Sequence, residues 1–304
     1  MECVERELNT LLFEQFVYRV PTHLPAFHSY AVWRNSLTVQ NFVNCDYKFV
    51  GGSNLLVKNM LTHYPQWNVN LFNYHPLKGC VLVGVGAGAG EKTNLYTKKL
   101  YQKMLSHDYY HSVRDERSRA YVESLGLKAL NTGCVTMWAL TPEFCKEIPT
   151  EKAGNVVFTL TAKGTPDVRD QKLIDVLRKN YNKVSFWIQG DQDAAYFRMF
   201  KNTEGVEVIP PNKSAYKKVL EREDIEYVGT RLHGGIYALR HKKRAVIISF
   251  DERAKSISVD TGLVTLEKDQ MDSLDKLING TIRTELNIPF DKVEQWKAQF
   301  QETL

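Results

Sequence analysis

The sequence predicts an α/β protein built from two Rossmann-like domains that face each other across a cleft. Short apolar runs rich in β-branched residues alternate with amphipathic helical stretches, the pattern of right-handed βαβ units and parallel sheets. A polar stretch with two prolines and a glycine, residues 141–155, separates two sets of these units, and we interpret it as a linker. Apolar residues make up 43% of the 304-residue chain, enough for a substantial core.

The first set of units predicts an N-terminal domain over residues 1–145. Gly126 ends the second helix of this set, as expected from the preference of helix C-termini for glycine. The predicted strands are Tyr47–Val50, Val81–Val85 and Tyr109–Val113, and the predicted helices are Asn94–Leu105 and Glu116–Leu125.

The second set predicts a C-terminal domain over residues 146–304. Its strands are Val156–Leu160, Val184–Ile188, Val206–Ile209, Ile225–Val228 and Ala245–Ser249, and its helices are Asp167–Asn180, Asp191–Lys201, Lys213–Glu221 and Leu232–Arg240. The last helical pattern, Asp291–Thr303, falls within this domain. The alternative is that it packs back on the first domain.

Charge and cysteine usage argue against several classes of protein. The net charge of +5 is spread along the chain, which suits anionic small molecules and falls short of a nucleic-acid-binding surface. The five cysteines lack CxxC spacing, so the sequence predicts neither a disulfide framework nor a zinc site. The first residues lack the order of a secretory signal, and the longest weakly polar run, residues 79–90, is too short to span a bilayer. We therefore expect a cytoplasmic protein.

Two glycine-containing turns follow the first two strands, where open α/β sheets bind their ligands. These turns are GGSNLL (51–56) and GAGAG (86–90). Glycine allows a tight turn and close approach of the backbone to a ligand. An ordinary βα turn stays open for the first stretch. The GAGAG spacing is not that of a dinucleotide fingerprint, and it favours a flexible loop on the rim of the cleft. The candidate cleft-lining residues are Gly51, Gly52, Ser53, Asn54 and Gly88.

An arginine follows the third strand. Asp115 is a suitable N-cap for the next helix, and Glu116 suits the positive end of that helix. Arg114 opposes the same dipole, which favours a bound anion held by the arginine and by the first N–H groups of the helix. The alternative is an ion pair between Arg114 and an acid of a neighbouring loop.

The same arrangement returns in the second domain, in VGTRLHGGIYAL (228–239). Arg231 lies at a predicted helix start, and Gly234 and Gly235 permit close approach of a ligand. His233 is the side chain of this stretch that can move a proton near neutral pH.

Weaker candidates follow the first two strands of the second domain. Lys163 and residues 189–191 occupy the right positions, but they are also common turn residues. No HExxH, GxSxG, EF-hand or Cys/His cluster occurs in the sequence, so we predict no metal site and no hydrolase triad.

Four motifs occur in order along the chain. They are DYKFVGGSNLL (46–56), SVRDERS (112–118), NTGCVT (131–136) and VGTRLHGGIYAL (228–239). In these motifs, over roughly residues 46–255, the sequence resembles the polysaccharide pyruvyl transferase family. The glycine-rich first βα turn common in that family is not visible in residues 1–45, which would reduce or reshape one substrate site.

The resemblance implies a GT-B-like fold, phosphoenolpyruvate as the donor and a sugar or lipid-linked glycan with a diol as the acceptor. The implied product is a pyruvate ketal on a cell-surface polysaccharide or its precursor, formed with release of phosphate and without a cofactor or a metal. The functional residues of the family match Arg114, Arg231 and His233, our predicted catalytic residues. The predicted donor-binding residues are Arg114, Arg231, Leu232, His233, Gly234 and Lys163.

The expected mechanism uses the two arginines, each at a helix N-terminus, to bind the carboxylate and phosphate of the donor. His233 acts as the general acid that protonates C3 of the donor. We expect no nucleic-acid partner and no transmembrane segment, with peripheral contact at the inner face of the membrane left open. Two alternatives remain: a nucleotide-sugar glycosyltransferase of the same architecture, and a non-catalytic glycan-binding or scaffold protein.

Overall fold

The computed structural model describes residues 18–19, 47–51, 54–61, 69–88, 92–249 and 252–300, with only the backbone of residues 18–19 and 252–253. The described residues form two units. Unit 1 runs up to Trp138 and resumes at Ile288, and unit 2 comprises Ala139–Asn287.

Unit 1 is built on parallel strands with helices between them. Three strands pair in the order β1-β2-β3, and β4 pairs with β5. A parallel bridge between Val85 and Val113 connects the segment after β3 to the end of β4. The elements are β1 (Tyr18–Arg19), β2 (Lys48–Gly51), β3 (Val81–Val83), α1 (Leu95–Met104), β4 (His111–Val113), α2 (Glu116–Ser124) and β5 (Ala129–Asn131).

Unit 2 contains a six-stranded parallel sheet in the order β11-β10-β9-β6-β7-β8. Its strands are β6 (Asn155–Thr159), β7 (Lys183–Trp187), β8 (Glu207–Ile209), β9 (Ile225–Gly229), β10 (Ala245–Ser249) and β11 (Thr265–Glu267). Its helices are α3 (Pro142–Lys146), α4 (Val168–Asn180), α5 (Asp193–Phe197), α6 (Lys213–Leu220), α7 (Leu232–Leu239), α8 (Glu252–Thr261) and α9 (Leu274–Ile278).

The sheet of unit 2 has a topological switch point between β6 and β9. The chain builds β7 and β8 on one side of β6, and then returns to add β9, β10 and β11 on the other side. The two strands end side by side, because Thr159 is the register partner of Gly229. A Cβ atom at position 229 would lie 2.6 Å from the amide nitrogen of Thr159, so this close approach requires glycine. In open α/β sheets such a point is where ligands bind.

The last helix, α10 (Phe290–Ala298), packs on the core of unit 1. Trp296 is fully buried, with its ring 6.0 Å from that of Phe49 and 5.9 Å from that of Trp138. The indole Nε1 donates a hydrogen bond to the carbonyl oxygen of Tyr110 at 2.8 Å. The C-terminal segment therefore supplies part of the core of a unit formed mainly by the N-terminal half of the chain.

Several elements differ from the sequence prediction. The strands β5 and β11 were not among the predicted strands; each has three residues, and neither lies in a longer run of β-branched or aromatic residues. The stretch interpreted as a linker contains α3, which has the start signals of a helix: Thr141 accepts a hydrogen bond from the amide of Phe144, and Pro142 occupies the first turn. The helix predicted over Asp191–Lys201 is limited to the five residues of α5.

A buried ion pair lies near the amino ends of β9 and β10. The carboxylate of Glu226 accepts hydrogen bonds from Nε of Arg244 at 2.7 Å and from Nη2 at 3.1 Å, and both side chains are 1% exposed. Tyr181 also donates to Glu226, and Nη1 of Arg244 donates to the carbonyl oxygens of Thr150 and Gly280. This network ties the strand ends to two loops of unit 2.

A buried neutral histidine starts β4. The Nδ1 atom of His111 accepts from the amide of Leu82 at 3.1 Å, and Nε2 donates to the carbonyl oxygen of Ser106 at 3.0 Å. This tautomer satisfies both ring nitrogens without a charge. Burial lowers the pKa of His111 from 6.5 to about 4.

The depressed pKa of His111 predicts a pH dependence of unfolding. Between pH 6.5 and about 4 the unfolded chain binds a proton at this residue that the folded chain does not, so the free energy of unfolding decreases as the pH falls through that window. The decrease expected from this group is about 3 kcal/mol. We expect His111→Asn to be less stable at pH 7 and to lose this part of the dependence, as measured by urea unfolding. His107→Asn, which changes an exposed histidine, should keep it, and an unchanged profile in His111→Asn would contradict the assignment.

Candidate active site

Arg114 follows β4 and is held by the residues around it. Its guanidinium donates from Nη2 to the side-chain oxygen of Asn54 and from Nε to Oδ2 of Asp115 at 3.3 Å. The side chain is 9% exposed. A Cβ atom at Gly86 would lie 2.5 Å from Cζ of Arg114, so the guanidinium occupies the space that a side chain at residue 86 would take. The acid that pairs with Arg114 is the adjacent N-cap residue.

Asp115 and Ser118 order the start of α2 and the turn beside it. Oδ1 of Asp115 accepts from the amide of Ser118 at 2.7 Å and from its hydroxyl at 2.6 Å. The hydroxyl oxygen of Ser118 in turn accepts from the amide of Ala87 at 2.8 Å, and the amide of Gly88 donates to the carbonyl oxygen of Leu56 at 2.6 Å. The described part of the glycine-rich turn is thus fixed by hydrogen bonds to two neighbouring segments.

Arg231 occupies the N-cap position of α7, at the switch point of unit 2. Its Nε donates to the carbonyl oxygen of Leu160 at 3.2 Å, and its Nη2 donates to both carboxylate oxygens of Asp193 at 2.7 and 2.8 Å. The side chain is 25% exposed, and the bonds to Leu160 and Asp193 use Nε and Nη2 only. The side chain of Arg231 does not accept a hydrogen bond from the first amides of α7, unlike the N-cap side chains of α1, α2 and α4.

Asp193 is the buried partner of Arg231. It is 1% exposed and starts α5. Besides the guanidinium, Oδ2 accepts from the amides of Gln189 at 3.2 Å and Gly190 at 2.7 Å, and Oδ1 accepts from the amide of Ala162 at 3.4 Å. One carboxylate therefore binds the arginine after β9 and the turns after β6 and β7.

Two buried tyrosines support the first turn of α7. The hydroxyl of Tyr227 donates to the carbonyl oxygen of Arg231 at 2.9 Å and lies 2.6 Å from the hydroxyl of Thr159. Tyr216 donates to the carbonyl oxygen of Gly234 at 2.9 Å. Burial raises the pKa of both phenols well above the ordinary value, so each stays protonated and remains a donor.

The glycines of the RLHGG stretch have a packing role. A Cβ atom at Gly234 would lie 3.1 Å from the hydroxyl oxygen of Tyr227, and one at Gly235 would lie 2.5 Å from Cγ1 of Ile247. Both residues are buried. They let α7 lie close on the sheet, which differs from the ligand approach predicted for them. Leu232 is half-buried, and His233, in the first turn, is exposed.

Lys163 lies at a cavity of about 240 Å³ in unit 2. Lys268, only 10% exposed, bridges Asp167 at 3.0 Å and Asp170 at 2.8 Å beside this cavity. Neither Arg231 nor His233 is among the residues that line it, which are Lys163, Asp167, Arg169, Lys255, Glu267, Lys268 and Asp269. Lys163 therefore lines a cavity to which neither Arg231 nor His233 contributes.

The remaining predicted residues belong to unit 1. Gly51 ends β2 and is half-buried, Asn54 bonds to Arg114, and the carbonyl oxygen of Gly88 accepts from Arg117 at 3.2 Å. Gly52 and Ser53 lie outside the described residues. Among the residues that the structure describes, no group of three or more His, Cys, Asp or Glu side chains could hold a metal ion. No helix in this part of the chain has both the length and the apolar character needed to cross a membrane.

A family model described as polysaccharide pyruvyl transferase matches residues 3–252. The chain belongs to the polysaccharide pyruvyl transferase family. The resemblance inferred from the RD and RLH motifs is thereby confirmed, and both motifs lie inside the matched region. No curated protein matches this member of the family in sequence.

A solved structure confirms the predicted GT-B-like fold. The UDP-GlcNAc 2-epimerase of Methanocaldococcus jannaschii superimposes with a TM-score of 0.54 at 11% identity, covering 94% of this chain and 85% of the epimerase. The UDP-GlcNAc 2-epimerase of Neisseria meningitidis, bound to UDP-GlcNAc, gives a TM-score of 0.45 at 15% identity, covering 89% and 82% of the two chains. At these identities the likeness concerns the fold alone.

Sequence reasoning missed the partners of both arginines. Asn54 was predicted to line a cleft, not to bind Arg114, and Asp193 was not singled out at all. The stretch QGDQD (189–193) does contain a signal, because its carboxylates follow β7, which lies in the same parallel sheet as β9, the strand that precedes Arg231. The sequence offers two candidates there, and the structure distinguishes them: Asp191 is exposed and Asp193 is buried.

The contacts of Arg114 predict its contribution to stability. We expect Arg114→Ala to lower the free energy of unfolding by about 1–3 kcal/mol, because it removes hydrogen bonds between charged and polar groups that are largely buried. Thermal or urea unfolding of the purified protein measures this. Arg119→Ala is the matched control, since Arg119 pairs with Glu116 and Glu123 on the exposed face of α2 and its loss should have little effect. Equal stability of the two variants would contradict the structural pairing of Arg114.

Proposed function

We propose that the protein transfers the enolpyruvyl group of phosphoenolpyruvate to two hydroxyls of a sugar, forming a pyruvate ketal on a cell-surface polysaccharide or its precursor. Family membership establishes the coarser function, a pyruvyl transferase of polysaccharide biosynthesis. The donor, the ketal chemistry and the residue roles are our proposal. The observation that carries it is the position of Arg231 at the uncapped start of α7, directly at the switch point of the sheet.

The start of α7 with Arg231, called the arginine corner below, has the properties of a site for a small dianion. The helix N-terminus and Arg231 present positive charge at the carboxyl ends of β6 and β9. Arg231 is fixed by Leu160 and Asp193 and is still one-quarter exposed, so it can meet a ligand without first being ordered. Phosphoenolpyruvate, with a phosphate and a carboxylate, fits such a site. In unit 1, Arg114 with Asn54 is proposed as a second substrate-binding group.

His233 is proposed as the general acid. It lies two residues after Arg231, in the first turn of α7, and is exposed. In the proposed reaction its imidazolium donates a proton to the C3 methylene of the donor, which makes C2 electrophilic. One sugar hydroxyl adds to C2 and loses its proton, phosphate leaves with the C2–O bonding pair, and the second hydroxyl closes the ring with loss of its own proton. The positive charge of the corner stabilises the departing phosphate.

The acceptor is proposed to be a sugar carried on a lipid-linked or nucleotide-linked precursor. We also propose that the reaction takes place in the cytoplasm. When the acceptor is lipid-linked, the protein contacts the inner face of the membrane. The thermal-shift test below also includes the competing donor, a nucleotide sugar.

Donor binding is tested by thermal shift with the purified protein. We expect phosphoenolpyruvate at about 100 times its Kd to stabilise the protein by about 2.7 kcal/mol. Pyruvate, which lacks the phosphate, should give no comparable shift. A shift with a nucleotide sugar and none with phosphoenolpyruvate would favour the glycosyltransferase and reject the proposed donor.

The role of His233 is tested by separating binding from turnover. His233→Gln keeps hydrogen-bonding capacity at similar volume but cannot deliver a proton, so donor affinity should survive and turnover should fall by about 10²–10⁴-fold. Mass spectrometry of ketal products from phosphoenolpyruvate and a panel of sugar acceptors measures turnover.

The matched control changes another histidine of the same region. His241, just beyond α7, contacts the carbonyl oxygen of Tyr237 through Nδ1 at 2.8 Å. His241→Gln should keep both donor affinity and turnover. Near-normal turnover of His233→Gln with saturating donor would show that His233 is not the acid.

A further inference from the structure

We propose that Asp193 is a positioning residue for the anion site: it holds the guanidinium of Arg231 in the orientation that binds the donor phosphate. The inference rests on the proposed function for the identity of the donor, but its geometry is independent of the reaction. Asp193 does not reach the site itself, because its side chain is 1% exposed beneath the arginine.

The hydrogen bonds of Asp193 show that the carboxylate is fully engaged. Its two oxygens accept Nη2 of Arg231 and three amides, those of Ala162, Gln189 and Gly190. A buried carboxylate is costly unless it is paired and hydrogen-bonded. These four partners come from the ends of three adjacent strands, so the same group that neutralises Arg231 also fixes the two turns beside it.

The position of the guanidinium depends on this arrangement. With Nε bound to the carbonyl oxygen of Leu160 and Nη2 bound to Asp193, two contacts fix the plane of the guanidinium. None of the described contacts of Arg231 uses the terminal nitrogen Nη1. This nitrogen can therefore donate hydrogen bonds to a ligand. Gly190 makes room for the arrangement, since a Cβ atom there would lie 2.8 Å from Nη2 of Arg231.

The alternative is that Asp193 only stabilises the fold, and the sign of its effect on anion binding separates the two roles. By charge alone, removal of a carboxylate near an anion site strengthens anion binding. Loss of positioning weakens it, because the guanidinium is no longer held in the binding orientation. Asp193→Asn offers one acceptor oxygen in place of two, and so it cannot satisfy the donors that now bind both oxygens.

The experiment measures the affinity of the purified protein for inorganic phosphate and for phosphoenolpyruvate by calorimetry. We expect Asp193→Asn to weaken both by about tenfold or more. Gly190→Ala is the second variant, because it displaces the guanidinium sterically and keeps the carboxylate; it should weaken binding in the same direction. The matched control is Glu226→Gln, which breaks the equally buried pair with Arg244 and should leave both affinities unchanged.

A chemical readout tests the pairing without any donor. Phenylglyoxal modifies accessible arginines, and mass spectrometry of the peptide that contains Arg231 gives its rate. The rate should increase in Asp193→Asn and stay at the wild-type value in Glu226→Gln.

The outcomes separate this inference from the proposed function. Phosphate binding that follows the expected pattern, with no binding of phosphoenolpyruvate to the wild type, would reject the proposed donor and uphold the role of Asp193. Wild-type or tighter phosphate binding in Asp193→Asn would overturn the inference, as would equal weakening in Glu226→Gln. Failure of the wild type to bind either anion would overturn both.

Discussion

The ion pair between Arg231 and Asp193 determines the arrangement of the carboxyl ends of three strands in unit 2. The arginine follows β9, the aspartate starts the helix after β7, and the turn after β6 donates an amide to the same carboxylate. Neither charge could be buried here alone, because an unpaired ion in the interior costs several kcal/mol. The turns around the switch point are therefore specified together, and the helix that carries His233 starts from a fixed position.

Unit 1 uses the same physical solution with different residues. Arg114 also follows a strand, pairs with a carboxylate at the start of a helix, and lies against a glycine of a neighbouring turn. Gly86 corresponds in this respect to Gly190, since a Cβ atom at either position would collide with a guanidinium. The difference is exposure. The side chain of Arg114 is 9% exposed, whereas that of Arg231 is 25% exposed, so Arg231 has more of its surface available to a ligand in the form described.

The sequence was sufficient for the order of most of the longer elements, though not for α8, and for the positions of Arg114 and Arg231 between a strand and a helix. Buried parallel strands give continuous apolar runs, and a cation at a helix start is a local anomaly visible without a structure. The partners of the arginines were out of reach for a physical reason. Asn54 is 60 positions from Arg114, and Asp193 is 38 positions from Arg231, so each contact depends on which strands are neighbours in the sheet. The choice between Asp191 and Asp193 depends further on whether the helix after β7 begins at the first or the second of them, and helix boundaries are uncertain by one or two residues. Gly234 and Gly235 show the same limit, because a glycine needed for packing and one needed for a ligand look alike in sequence.

The strand β9 carries an arginine–carboxylate pair near each end: Glu226 with Arg244 close to its amino end, and Arg231 with Asp193 just past its carboxyl end. Its apolar residues alone would tolerate a slip of two positions against β6, since such a slip returns every side chain to the same face of the sheet. The pair at the carboxyl end does not tolerate it, because a two-residue slip moves Arg231 by roughly 7 Å relative to Asp193, which follows β7 on the other side of β6. The register of β9 against β6 is thus specified by a charge pair at its carboxyl end in addition to its apolar pattern, and the same pair places Arg231 at the switch point.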